Sequence, residues 1–87
     1  MREECDDLVS VLASFAPGPR GTVRVTPHVL KWRGRRYPLG TMGLYHPERR
    51  GTKRLHIFSF SSGSTAFRLE LDPETLVWKL KEAYYGS

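Results

Sequence analysis

Much of what equips a protein for chemistry is scarce in these 87 residues. Cys5 is the one cysteine, so no disulfide can form within the chain, and a cytoplasmic setting is expected. No apolar run approaches the roughly eighteen residues that a membrane span needs. The opening residues, Met1 to Asp7, are acidic and lack the basic-then-apolar order of a signal peptide. Gly34, Gly40, Gly43 and Gly51 fit neither a strand–GxxxxGK[ST]–helix frame nor a GxGxxG frame, which argues against a phosphate loop. Cys5, His28, His46 and His56 make up the soft metal-ligand pool, and no two have the close spacing of a structural zinc site. Ser59, Ser61, Ser62 and Ser64 sit beside phenylalanines on a strand and its tip, with no nucleophile elbow around them. Glu70 and Glu82 have surface positions and do not pair as an acid and a base. No catalytic residue, metal or small-molecule cofactor is expected, and the chain reads as a binding protein rather than an enzyme.

Acids are missing from the middle. Residues 1–19 hold one Arg against four acids, whereas residues 20–54 hold ten Arg or Lys against Glu48 alone; residues 55–87 hold three cations against four acids. The net charge of +5 therefore conceals a strongly cationic centre. Such a block suits nucleic acid, an acidic protein surface or an anionic membrane, and a solvated, solubilising surface is the plain alternative.

The cationic centre contains a stretch that folds on paper, Leu30-Lys31-Trp32-Arg33-Gly34-Arg35-Arg36-Tyr37-Pro38-Leu39. With Gly34-Arg35 at the centre of a type II′ turn, Trp32 faces Tyr37 and Leu30 faces Leu39. Side chains alternate along a strand, so these four share one face, while Lys31, Arg33 and Arg36 share the other.

Before that hairpin, residues 4–15 read as a short amphipathic helix, with Leu8, Val11, Leu12 and Phe15 in one stripe and Pro17-Gly18-Pro19 as its stop. From Thr22 the period becomes two, and Thr22–Thr26 is a strand. The second strand of the hairpin is expected to run on, with interruptions at Gly40 and Gly43, through Met42, Leu44 and Tyr45, followed by an exposed loop over 46–53. Leu55 to Leu71 reads as a second hairpin about Gly63-Ser64, with Phe60 facing Phe67 and Phe58 facing Leu69. The last segment has two readings. Asp72-Pro73-Glu74 resembles a helix start, yet a turn over Asp72–Thr75 matches Leu71, Leu69 and Phe67 to Leu76, Trp78 and Leu80 as strand partners. The strand is favoured.

The expected fold is one domain over 1–87, mainly β within the α+β class. A helix over 4–15 precedes a five- to six-stranded antiparallel meander over 22–84 that forms a small roll or barrel. Its inward set is Val23, Val25, Leu30, Trp32, Tyr37, Leu39, Phe58, Phe60, Phe67, Leu69, Leu71, Trp78 and Leu80.

Pro27, Trp32-Arg33-Gly34-Arg35-Arg36-Tyr37, Leu69, Asp72, Trp78, Leu80 and Tyr84 together resemble a family of small uncharacterised bacterial β-domains. Those domains share a Trp-Arg-Gly-Arg-Arg-Tyr hairpin and a closing Asp-turn-Trp-x-Leu strand. The resemblance covers both ends of residues 27–84 and breaks over Tyr45 to Lys53, where the family tends to carry a tryptophan-rich segment. It implies a β fold. Some members are similar to proteins encoded near error-prone DNA-repair polymerases, which points toward nucleic acid.

Two function classes follow. One is a non-sequence-specific binder of DNA or RNA, using Arg33, Arg35 and Arg36 on the hairpin and Arg49, Arg50, Lys53 and Arg54 on the loop, with Tyr45 and His46 stacking on bases. The other is a protein-interaction module or homodimer that uses a strand edge or the N-terminal helix. No membrane partner is expected.

Overall fold

Tight turns organise the chain. In the computed structural model, which describes residues 1–40 and 42–85, Arg33 and Gly34 both take positive φ (51° and 75°), as a type I′ turn requires. This turn joins β2 (Val23–Trp32) to β3 (Arg35–Pro38). Gly51 and Gly63, with φ of 65° and 60°, open the turns that join β4 (Met42–Arg50), β5 (Lys53–Ser62) and β6 (Thr65–Asp72). Pro73 to Leu76 link β6 to β7 (Val77–Tyr85), and Leu76 adopts φ of 61°.

The N-terminal segment is a strand, not a helix: β1 spans Arg2–Pro17. Val9, Val11 and Ala13 face the core, while Leu8 and Leu12 are 72% and 67% exposed on the other face. The supposed helical stripe is thus split between two faces. The cause is pairing along its whole length, on one edge and then the other: Arg2–Glu4 and Asp7–Val9 pair with β7, and Ser10–Pro17 pair with β2. Only a strand can satisfy ladder groups on two edges. Apart from a single 3-10 turn at Pro19–Gly21, the described residues contain no helix.

Seven antiparallel strands form one sheet in the order β3-β2-β1-β7-β6-β5-β4. The expected five or six strands become seven: the N-terminal segment is a strand, the segment read as one interrupted strand is two, β3 and β4, and the strand at Thr22–Thr26 runs on through Pro27 into the hairpin as the single β2. The sheet is open, not a closed roll or barrel, since β3 and β4 lie at its two edges. It nevertheless folds back on itself. Trp32 on β2 and Tyr37 on β3 pack edge-on against Phe67 on β6, with ring centroids 6.1 and 5.0 Å apart.

The apolar face encloses Leu30, Trp32, Leu39, Phe58, Phe60, Phe67, Leu69, Leu71, Trp78, Leu80 and Ala83. Burying each large member contributes about 1.5–3 kcal/mol. A bulge at His28 keeps Pro27 and Val25 on the face that Leu30 and Trp32 occupy. Trp32 donates its Nε1–H to Asp7 at 2.8 Å, which satisfies the indole's polar group at the core's edge. Val23 has inward parity but remains 61% exposed, because nothing covers that end of the sheet.

Registers moved while faces held. The first hairpin turns at Arg33-Gly34 rather than Gly34-Arg35, so Leu30 pairs with Tyr37 and Trp32 with Arg35. The second hairpin has the expected pairs, Phe60 with Phe67 and Phe58 with Leu69. In the third, Leu71 pairs with Trp78 and Leu69 with Leu80, because Leu76 belongs to the turn. Residues 46–53 are not an open loop: the β4–β5 ladder continues to Arg50 and Lys53.

The outer face also buries apolar surface. Leu55 and Ile57 are buried there, as is Glu70, whose carboxylate accepts a 3.0 Å bond from Arg50. The surface position expected for Glu70 is therefore wrong; neutralisation by Arg50 makes its burial tolerable.

Candidate binding cleft

Strand pairing changes between two consecutive residues. Leu39 donates its N–H to the His28 carbonyl of β2 at 2.8 Å, and Gly40 donates to the Ser61 carbonyl of β5 at 2.9 Å. From that point the chain leaves β2 and runs along β5 as β4. Val23–Pro27 of β2 then pair with β1 alone, and β4 pairs with β5 alone. Each strand keeps one free edge beyond the fork.

Between the diverging strands lies a cleft of about 460 Å³. Thr22 to Pro27 form one wall as an unbroken run, so the cleft abuts the backbone edge of β2. Met42, Tyr45, His56, Phe58 and Phe60 form the floor from the inner face of β4 and β5. A bulge at Gly43 keeps both Met42 and Tyr45 on that face. Half-exposed apolar side chains gather here, Met42 and Tyr45 on one side and Val23 on the other. Among the described residues, Arg24 is the one Arg or Lys in the lining, and no acid lines the cleft.

Tyr45 and His56 stack with centroids 5.8 Å apart, and the Tyr45 hydroxyl lies 2.7 Å from His56 Nδ1, to which it donates a hydrogen bond when that nitrogen is unprotonated. Burial pushes the His56 pKa below the usual 6.5, and the nearby positive charge of Arg54 pushes it the same way.

The nine residues expected to bind do not form one surface. Arg33 sits in the β2–β3 turn, 4.3 Å above the Trp32 ring, and bonds Glu3 at 2.6 Å. Arg35 and Arg36 are exposed on β3 at that same end. Arg49, Arg50, Lys53 and Arg54 surround the β4–β5 turn at the other end. The register places that turn about seven residues along β5 from the row that contains Glu3, or roughly 23 Å at 3.3 Å per residue. His46 lies opposite Ile57, on the face away from Tyr45, so the two cannot stack on one ligand.

Charge pairing further divides the second cluster. Arg50 bonds Glu48 and Glu70, and Lys53 bonds Asp72 at 2.8 Å. The Lys53 ammonium and two backbone N–H groups hold the Asp72 pKa below its ordinary 3.8. Arg49 and Arg54 face one another across the ladder on the floor side and make no ion pair among the described residues.

Sequence reasoning missed Met42, His56, Phe58, Phe60 and the β2 edge as parts of one site. His56 had the right parity beside the core, but only the fork at Leu39 and Gly40 opens a cleft over this part of the inner face, where Met42 and Tyr45 stay half-exposed above the buried Phe58 and Phe60. No group of three metal-ligating side chains occurs among the described residues, and no helix there is long and apolar enough to cross a membrane. No family model, curated protein or solved structure matches the chain.

Proposed function

We propose that the domain is a non-catalytic binding module that takes an extended polypeptide segment of a partner into the cleft as an added strand. The observation that carries this reading is the change of partner between Leu39 and Gly40, which leaves a free β2 edge beside an apolar floor. Main-chain bonds to a strand edge supply affinity, and alternate side chains read the floor. An added strand continues the line of β3 along β2 and draws the open sheet toward a closed barrel. A reducing, cytoplasmic setting fits this module, because Cys5 is unpaired and partly covered.

The test is selection of a displayed library of random ten-residue peptides on the immobilised protein, followed by amide hydrogen exchange on the complex. Bound peptide should slow exchange across residues 22–27, while Arg35 and Arg36 stay unaffected. Failure to enrich any peptide, or protection only at other residues, removes this reading.

A second reading rests on the stacked Tyr45 and His56 beside Arg49 and Arg54: a single strand of DNA or RNA lies in the same cleft, its bases on the rings and its phosphates on the arginines. The resemblance to domains encoded near repair polymerases points the same way. Salt separates the two. Affinity for a labelled oligothymidylate should fall with a log–log slope of about −0.7 per phosphate neutralised, whereas an apolar strand contact changes little.

A further inference from the structure

The β4–β5 turn carries four cations, and their treatment differs by face. On the outer face, Arg50 and Lys53 pair across the ladder, and each is tied to acids of the same chain: Glu48 and Glu70 for Arg50, Asp72 for Lys53. On the floor side, Arg49 and Arg54 also pair across the ladder, are exposed, and have no acid partner among the described residues. Two like charges directly opposite each other destabilise a sheet. An anion seated between them reverses the sign of that contribution, and two guanidinium forks can grip its oxygens.

The position of this pair is defined relative to the cleft. Arg54 lies two residues along β5 from His56, which lines the cleft, and four from Phe58, all on one face, so its backbone stands about 13 Å from that of Phe58, just beyond the lining. The cleft has an apolar floor and, among the described residues, no acid in its lining to compete for Arg49 and Arg54.

We propose that Arg49 and Arg54 form an anion clamp, so that the segment accepted by the cleft carries an acidic group four residues from an apolar side chain seated on the half-exposed Tyr45, in the Tyr45–Phe58 row of the floor. This inference rests on the added-strand reading and specifies the partner's chemistry. Even spacing follows from alternation: only residues an even number apart on the incoming strand point to the same floor. A side-chain carboxylate and a phosphorylated side chain both supply the required oxygens.

The experiment uses the full chain and the same displayed library of random ten-residue peptides. Wild-type protein should enrich sequences with Asp or Glu four positions from an aliphatic or aromatic residue. The R49A/R54A variant should enrich the apolar position without the acid, and should bind the wild-type selected peptide at least about tenfold more weakly, as loss of a charge-assisted contact implies. Remaking that peptide with phosphoserine in place of the acid distinguishes the two sources: tighter binding assigns the clamp to phosphate, weaker binding to carboxylate. Enriched peptides with no acidic position, or equal affinity for wild type and R49A/R54A, overturn the clamp while the added-strand reading stands. If no peptide enriches, the added-strand reading fails and the clamp with it; Arg49- and Arg54-dependent binding of an oligothymidylate would then assign the cleft to nucleic acid. Hydrogen exchange of R49A/R54A alone confirms that the variant is folded.

Discussion

His56 shows how one side chain reports on its surroundings. Its neutral ring stacks on Tyr45 and accepts the tyrosine hydroxyl, while burial and the charge of Arg54 oppose protonation. The folded state therefore binds this proton less readily than the unfolded chain, whose histidine titrates near 6.5. Above that pH both states are neutral and His56 makes no pH-dependent contribution. As pH falls through it, the unfolded state gains a proton that the folded state resists, so stability declines. Urea unfolding at a series of pH values between about 7 and 5 should show this decline in the wild type and a shallower one in His56→Gln. The paired carboxylates of Glu3, Asp6 and Asp72, all with lowered pKa, titrate below this window and leave it clear. Equal slopes for the two proteins would show that His56 does not feel its neighbours.

At the scale of the element, β1 is where sequence and structure part. Leu8-Val9-Ser10-Val11-Leu12 satisfies a helical stripe and a period-two strand equally well, since Leu8, Val11 and Leu12 fit the first and Val9 and Val11 the second. Intrinsic preference is too weak to arbitrate over such a short stretch. The two readings predict opposite mutational outcomes. Leu12→Lys should change stability by no more than about 0.5 kcal/mol, because the side chain is already in water. Val9→Pro removes a main-chain donor inside a strand laddered to β7 and should cost about 1–3 kcal/mol, the range for leaving a buried hydrogen-bonding partner unsatisfied. Thermal melts of the two variants check this; a helix buried along its Leu8–Leu12 stripe would make Leu12→Lys the damaging change.

The whole molecule depends on a sheet that bends until β2 and β3 meet β6. Trp32 is the contact that reports on it, with Phe67 against one side of the indole and Asp7 holding its N–H. Trp32→Ala should destabilise by about 3–5 kcal/mol, the usual range for a large buried aromatic. Trp32→Phe restores most of the packing but strands the Asp7 carboxylate without its donor, and should cost about 1–3 kcal/mol. Chemical denaturation of both variants gives the comparison, and near wild-type midpoints would place Trp32 outside the core. The same bend leaves the far end of the inner face open, which is why the cleft exists at all: Val23 and Met42 have core parity but no layer above them.

Alternation and turn chemistry were legible along the chain, because both are local. A strand's side chains take alternate sides whatever its register, so Leu30, Trp32, Phe58, Phe67 and Trp78 were assigned to one face even where a turn was placed one residue away. Glycines that tolerate positive φ marked the hairpin tips at Gly34 and Gly63, whereas Gly51 lay in a segment that read as a loop. The identity of β1 was not legible, since it depends on ladder partners that lie up to about eighty residues away in β7. Nor was the pairing of charges: Arg33 with Glu3 and Lys53 with Asp72 are contacts between distant segments, and they leave Arg49 and Arg54 as the exposed pair beside the cleft. The fork at Leu39 and Gly40 is decided by two hydrogen bonds to different strands. Local sequence determines which way a side chain points; tertiary structure decides what stands opposite it, because that is a property of pairing between segments that only the folded sheet brings together.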